Sequence, residues 1–251
     1  MSRFSLKFTN GKQIHPELNT KTTIASNIVF DKKKVFYVCS SGGCGSTILF
    51  NYLQNFGRVY HIHDRYPPNK LEYIGTENSD KDVYSEWFNG TQIPEDELEN
   101  YKVIFIYRHP IQVIYSRFVQ KNGPNVNHLN HIKCINNGNI NIYDVLKFGK
   151  DLYKIEEFFD NYTIAKERNY KVYCVKYELF WDNISLFNRV MDIPDKKSLY
   201  PVKNERPKQL QFLPQLTAIY NSLINKMNSM KFIEIIEPIK TGNKDISEDV
   251  I

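Results

Sequence analysis

The chain has 251 residues, with 33 Lys plus Arg against 28 Asp plus Glu, for a net charge of +5. It is 41% hydrophobic with 16 Phe and 17 Tyr, enough apolar material for a sizeable core, which excludes a globally disordered chain. No run approaches the roughly 18 apolar residues of a membrane span, the segment Met1 to Thr23 lacks the apolar core of a signal peptide, and four Cys at no paired spacing do not make a disulfide framework. The expectation is one cytoplasmic domain with reduced thiols. The mild positive excess marks no nucleic-acid stripe but permits an anionic small ligand.

After an N-terminal extension over residues 1–30, Lys34 to Ser40 (KVFYVCS) is a β-branched and aromatic run that predicts a buried strand. Gly42, Gly43 and Gly45 supply a tight turn, and Ser46 to Phe56 has apolar residues at helical spacing. Arg58 to Asp64 reads as a second strand, ended by Tyr66-Pro67-Pro68. Residues 75–100 read as a polar loop with a short helix near Tyr84 to Phe88, and Lys102 to Tyr107 (KVIFIY) as the clearest buried strand. A helix is predicted over Ile111 to Gln120 and an Asn-rich loop over Lys121 to Asn141. The longest helical pattern runs from Ile142 to Asn169, and Lys171 to Lys176 is a further short strand. Leu179 to Met191 is helical, and a C-terminal part over 210–251 carries one or two more helices between Leu210 and Met230. Strands alternating with helices predict a parallel sheet covered on both faces. The fold class is therefore α/β, as one domain with a core over about residues 34–210.

Two segments carry chemistry. In Val38 to Leu49 (VCSSGGCGSTIL), glycines let backbone N–H groups turn inward while the following helix presents its amides and positive dipole end. Ser41, Gly42, Gly43, Cys44, Gly45, Ser46 and Thr47 together suit a phosphate or another tetrahedral oxyanion. No Lys sits among residues 39–47, so this is not the GxxxxGK[ST] loop of an ordinary nucleoside-triphosphate hydrolase or kinase. In the second segment Arg108 leaves the end of a buried strand, where open α/β sheets place ligands. Ser116 follows about two helical turns on, so a guanidinium and a hydroxyl could grip a second phosphate. The plainer alternatives are a capped strand-to-helix turn and a surface arginine.

Together these residues resemble the sulfotransferase family, which takes a sulfuryl group from 3′-phosphoadenosine 5′-phosphosulfate (PAPS) and releases the desulfated nucleotide, PAP. The resemblance covers roughly residues 34–210. It implies a three-layer P-loop-like fold with a central parallel sheet of about five strands flanked by helices. It also implies that residues 41–47 hold the 5′-phosphosulfate and that Arg108 and Ser116 hold the 3′-phosphate. The Arg108-His109-Pro110 start of the second motif is typical of the family. Val175 to Asn183 (VKYELFWDN) looks like its strand-ending Tyr-Glu, with Tyr177 and Glu178 in a supporting role. Lys203 and Arg206, in Val202 to Lys208, stand where relatives carry a basic loop over the nucleotide. No metal is implied, and the other partner is a small-molecule or carbohydrate acceptor with a hydroxyl or amine.

The chain departs from the family at Gly43, where relatives carry Lys or Arg against the transferring group. Losing a cation aimed at developing charge can cost several kcal/mol of transition-state stabilisation. Arg65, Lys33, Lys34 and Arg117 are the candidate substitutes, Arg65 foremost because it follows a strand end. Otherwise the protein binds the nucleotide without efficient transfer. For removal of the acceptor's proton the candidates are His61 and His63 in YHIHDRYPP, with Asp64 able to orient either ring. His63 is preferred as nearer the strand's C-terminal end. The short interval of about twenty residues from loop to histidine favours a carbohydrate acceptor by comparison with relatives in which it is longer. His128, His131 and Cys134 have loose metal-like spacing. Cys44 reads as a passive loop residue rather than a nucleophile.

Overall fold

A computed structural model of the chain describes residues 30–74, 90–119, 140–203 and 212–239. The expected helix near Tyr84 to Phe88, the loop from Lys121 as far as residue 139, and Arg206 lie outside them.

Five strands form one sheet: β1 (Val35–Cys39), β2 (Arg58–Ile62), β3 (Tyr101–Tyr107), β4 (Val172–Lys176) and β5 (Ile233–Ile236). Their order is β2-β1-β3-β4-β5, parallel throughout except for β5, which pairs antiparallel to β4. The central strands β1, β3 and β4 are buried along nearly all their length, as sheets covered on both faces require.

Alternate residues feed two cores. Phe36, Val38, Ile104 and Ile106 face a layer containing α1 (Ser46–Leu53), while Tyr37, Cys39, Phe105 and Tyr107 face the layer of α2 (Pro110–Ile114). Helices α3 (Ile142–Phe148), α4 (Ile155–Thr163), α7 (Leu213–Ile219) and α8 (Asn221–Ser229) join the α2 side. Helices α5 (Tyr177–Phe180) and α6 (Ile184–Met191) join the α1 side. The result is a three-layer α/β architecture of the P-loop-like kind.

Three local departures have physical causes. The long helix expected from Ile142 is two helices. Asn141 and Asp144 close a capping box at the start of α3, and Gly149 ends it in the left-handed region (φ 61°). The buried Asp151 carboxylate then accepts the Glu156 amide at 2.9 Å and the Tyr220 hydroxyl at 2.8 Å, fixing a turn before α4. The helix expected from Ile111 passes at Tyr115–Val119 into a π-helical turn, where Phe118 stacks on Tyr153 with ring centroids 3.7 Å apart. β5, within the C-terminal part for which only helices were expected, closes the sheet antiparallel to β4 after α7 and α8.

Candidate functional site

β1 lies between β2 and β3. The chain leaves β1 into α1 on one face and leaves β3 into α2 on the other, so the two connections part at the C-terminal ends of β1 and β3. Such a reversal opens a crevice, which is where open α/β sheets hold ligands. Both sequence segments that carry chemistry arrive there.

On the β1 side, Gly42, Gly43 and Gly45 all have left-handed backbone (φ 79°, 68° and 85°), which L-residues adopt only at a cost of roughly 1–2 kcal/mol. Gly45 has a second reason to lack a side chain, since a Cβ there would lie 2.2 Å from Cε2 of the Tyr177 ring. Ser40 Oγ accepts the Gly42 amide at 3.1 Å and ties down the root of the turn. Ser46, the first residue of α1, is buried, whereas Thr47 is exposed. The Cys44 thiol donates to the Gly42 carbonyl at 3.2 Å, and burial pushes its pKa up to about 11 although Ser41, Arg117 and Arg108 pull it down. At neutral pH it is therefore a thiol, as a passive loop residue should be.

From the β3 side, the Arg108 guanidinium points Nη1 at the Gly43 carbonyl, 3.5 Å away, and stacks 4.9 Å from the centroid of the Tyr177 ring. Tyr177 thus underlies both Gly45 and Arg108. Its neighbour Glu178 accepts the His109 amide at 2.8 Å, so the Tyr-Glu pair buttresses both segments at once. Ser116 and Arg117 close over the turn: a Cβ at residue 43 would lie 3.5 Å from Ser116 Cβ, 3.1 Å from Arg117 Cγ and 3.5 Å from Arg117 Nε. Among the described residues neither Arg108 nor Arg117 has a carboxylate within ion-pair distance.

The other candidate cations are engaged elsewhere. Arg65 is buried and pairs with Glu157 of α4 at 3.4 Å, with Tyr66 at 5.5 Å as a cation–π partner. Lys34 precedes β1, at the opposite edge of the sheet, and pairs with Asp192 at 2.7 Å; Lys33 is exposed beside it. Lys203 is exposed.

The His61 and His63 rings lie against each other with centroids 4.4 Å apart and planes tilted by 56°, and His61 stacks on Phe50 at 5.7 Å. His63 is fully buried, and its Nδ1 lies 2.5 Å from the Ser40 carbonyl oxygen. A carbonyl only accepts, so Nδ1 carries the proton and the lone pair of the neutral ring is on Nε2. The same nitrogen is 3.2 Å from Ser40 Oγ, which links His63 to the root of the glycine turn. His61 retains partial exposure. Asp64 turns its Oδ1 to the Tyr66 amide at 2.9 Å.

Two features escape the sequence reading. Arg117 was one name among four there, and only the geometry singles it out. Tyr107, the last residue of β3, has a buried hydroxyl without a hydrogen-bond partner among the described residues, and it lines a cavity of about 90 Å³ with His109, Lys176 and Glu178 beside the Arg108 crevice. No group of His, Cys, Asp and Glu among the described residues is arranged to hold a metal, and His128, His131 and Cys134 lie outside them. No helix among them is long and apolar enough to cross a membrane. No protein-family model matches the chain, and neither does any curated protein or solved structure.

Proposed function

We propose that the protein is a PAPS-dependent sulfotransferase that acts on a hydroxyl or amine, with a carbohydrate hydroxyl as the preferred acceptor class. The observation that carries this reading is the convergence of the two motifs. Arg108 and Ser116, eight residues apart, both come to the glycine turn at the sheet's reversal point, and Arg108 does so without a carboxylate partner among the described residues. A left-handed glycine turn leading into α1, buried Ser46 and a guanidinium with no carboxylate partner among the described residues suit a ligand with more than one phosphate-like group.

In this reading the turn over residues 41–47 and the first turn of α1 bind the phosphosulfate end, with the Gly42 amide reserved for Ser40 Oγ. Arg108 and Ser116 grip the 3′-phosphate. Tyr177 holds the Arg108 guanidinium flat, and Glu178 holds the start of α2. PAPS supplies the sulfuryl group: the acceptor oxygen forms a bond to sulfur as the bond from sulfur to the 5′-phosphate oxygen breaks, and that electron pair stays on the phosphate, leaving PAP. The acceptor's proton passes to the histidine pair. His63 has its proton fixed on Nδ1 and its lone pair on Nε2, and His61 is the ring of the two with exposed surface. Arg65, paired with Glu157, supports the segment after β2.

Incubation of the full chain with sulfur-labelled PAPS and a panel of carbohydrate, phenol and amine acceptors tests the reading, with label expected on at least one acceptor. The absence of a cation at Gly43 favours a second reading, a PAP- or PAPS-binding protein without transfer. Saturable PAP binding with no labelled product across the panel would select it.

A further inference from the structure

The space beside Gly43 is occupied. Arg117 Cγ lies 3.1 Å from where a Cβ of residue 43 would sit, and Arg117 Nε lies 3.5 Å from it. That Nε is buried and has no hydrogen-bond partner among the described residues, an arrangement that costs free energy unless something else satisfies the donor. The Arg117 charge is also uncompensated, since no carboxylate among the described residues pairs with it. Arg108 reaches the same glycine from its carbonyl side. Two guanidiniums at one residue repel each other, and in a partly buried site that repulsion is poorly screened. A multiply charged anion on the glycine turn relieves both the repulsion and the unsatisfied donor. The π-helical turn Tyr115–Val119 gives Arg117 its placement, because the wider turn sets Ser116 and Arg117 together over Gly43.

We infer that Arg117 is a ligand-binding residue of the loop, supplying across space the cation that residue 43 does not carry, and that a side chain at 43, already disfavoured by its left-handed backbone, would press Arg117 out of place. This rests on the reading of the turn as the phosphosulfate site. The role differs from that of Arg108. Arg108 is held by Tyr177 and the Gly43 carbonyl, whereas the buried Nε of Arg117 has its hydrogen-bonding capacity still to give to a ligand.

The test is a double-mutant cycle on PAP affinity, measured by calorimetry on the full chain, Gly43→Ala, Arg117→Ala and the double variant, with Arg117→Lys as the conservative control. Arg117→Ala is expected to weaken PAP about tenfold or more, and Arg117→Lys about threefold, as loss and partial retention of a charged contact predict. Gly43→Ala should weaken PAP at least about threefold more in the native background than in the Arg117→Ala background, because the strain of a left-handed Ala (φ 68° at Gly43) is common to both and cancels in the cycle, leaving the displacement of Arg117. Unchanged affinity in Arg117→Ala and Arg117→Lys, or equal Gly43→Ala effects in both backgrounds, overturns the inference and leaves the nucleotide reading intact. If the native chain does not bind PAP, the nucleotide reading falls. The inference is then decided with inorganic pyrophosphate: a loss of about tenfold in Arg117→Ala supports it, and equal binding, or none by the native chain, overturns it.

Discussion

The two edges of the sheet treat their cations differently. At the N-terminal edge, Lys34 enters β1 with its ammonium on the Asp192 carboxylate and also on the Asp192 carbonyl oxygen, which closes the end of α6 against the strand. The pairing and hydrogen bond hold the Asp192 carboxyl below the usual carboxylate range. At the C-terminal edge, Arg108 and Arg117 meet at Gly43 with no carboxylate partner among the described residues. The first arrangement is complete in the folded chain alone. The second leaves two charges and a buried donor without partners among the described residues, and that asymmetry is what the proposed nucleotide site rests on. Arg65 shows the same contrast over a shorter distance: it follows β2 at the C-terminal edge, yet it pairs with Glu157.

Substitutions can break that comparison in order of expected size. Gly45→Ala is the most severe. Its Cβ would strike the Tyr177 ring, on which Arg108 stacks, and its φ of 85° strains any L-residue. Loss of PAP binding by about 100-fold or more in titrations, together with a lower melting temperature, is expected. Next is His63. His63→Ala should spare PAP binding and abolish transfer. His63→Asn keeps an N–H donor where Nδ1 meets the Ser40 carbonyl but has no titratable nitrogen. Transfer lost in both variants marks a base, whereas transfer restored by Asn would reduce His63 to a support of the loop root. Arg65→Met should lower stability by about 1–3 kcal/mol in urea melts, because a buried cation and its partner are separated. It should leave PAP affinity within about threefold; a tenfold loss would place Arg65 with the ligand-binding cations after all.

The smallest effect concerns His109. Burial holds its pKa below the ordinary histidine value, against the pull of Glu178. A histidine depressed by folding favours the neutral ring, so its contribution to stability is fully present above the unfolded-state value and is lost as pH falls through and below it. Melting midpoints should therefore decline between about pH 7 and 5 more in the native chain than in His109→Gln. Parallel profiles would contradict this.

Much of the architecture was legible because strands buried on both faces are nearly continuous apolar runs, as in KVFYVC and KVIFIY. The first four strands and the glycine turn follow from that pattern and from Gly42, Gly43 and Gly45. The sequence reading missed β5, whose short FIEII stretch neither alternates strictly nor forms a continuous apolar run, being broken by Glu234. It also fused α3 with α4, because the apolar spacing continues across Gly149 and the break depends on where the Asp151 carboxylate finds its donors. At the site, Arg108 and Ser116 were readable from spacing and strand position. Arg117 was named only as one of four candidate cations, because what distinguishes it is a contact across 74 residues of chain with the position of an atom that Gly43 does not possess. Arg65 was the foremost candidate in one dimension, and only Glu157, 92 residues further on, shows its guanidinium engaged by a carboxylate.

The most direct measurement is a calorimetric titration of the full chain with PAP beside the same titration of Arg108→Ala. A two-phosphate nucleotide held on the glycine turn predicts a saturable Kd in the micromolar range for the native chain and a loss of about tenfold or more in the variant. No saturable binding by the native chain up to about millimolar PAP, or equal affinity in the two proteins, would contradict the assignment of this edge of the sheet as a nucleotide site.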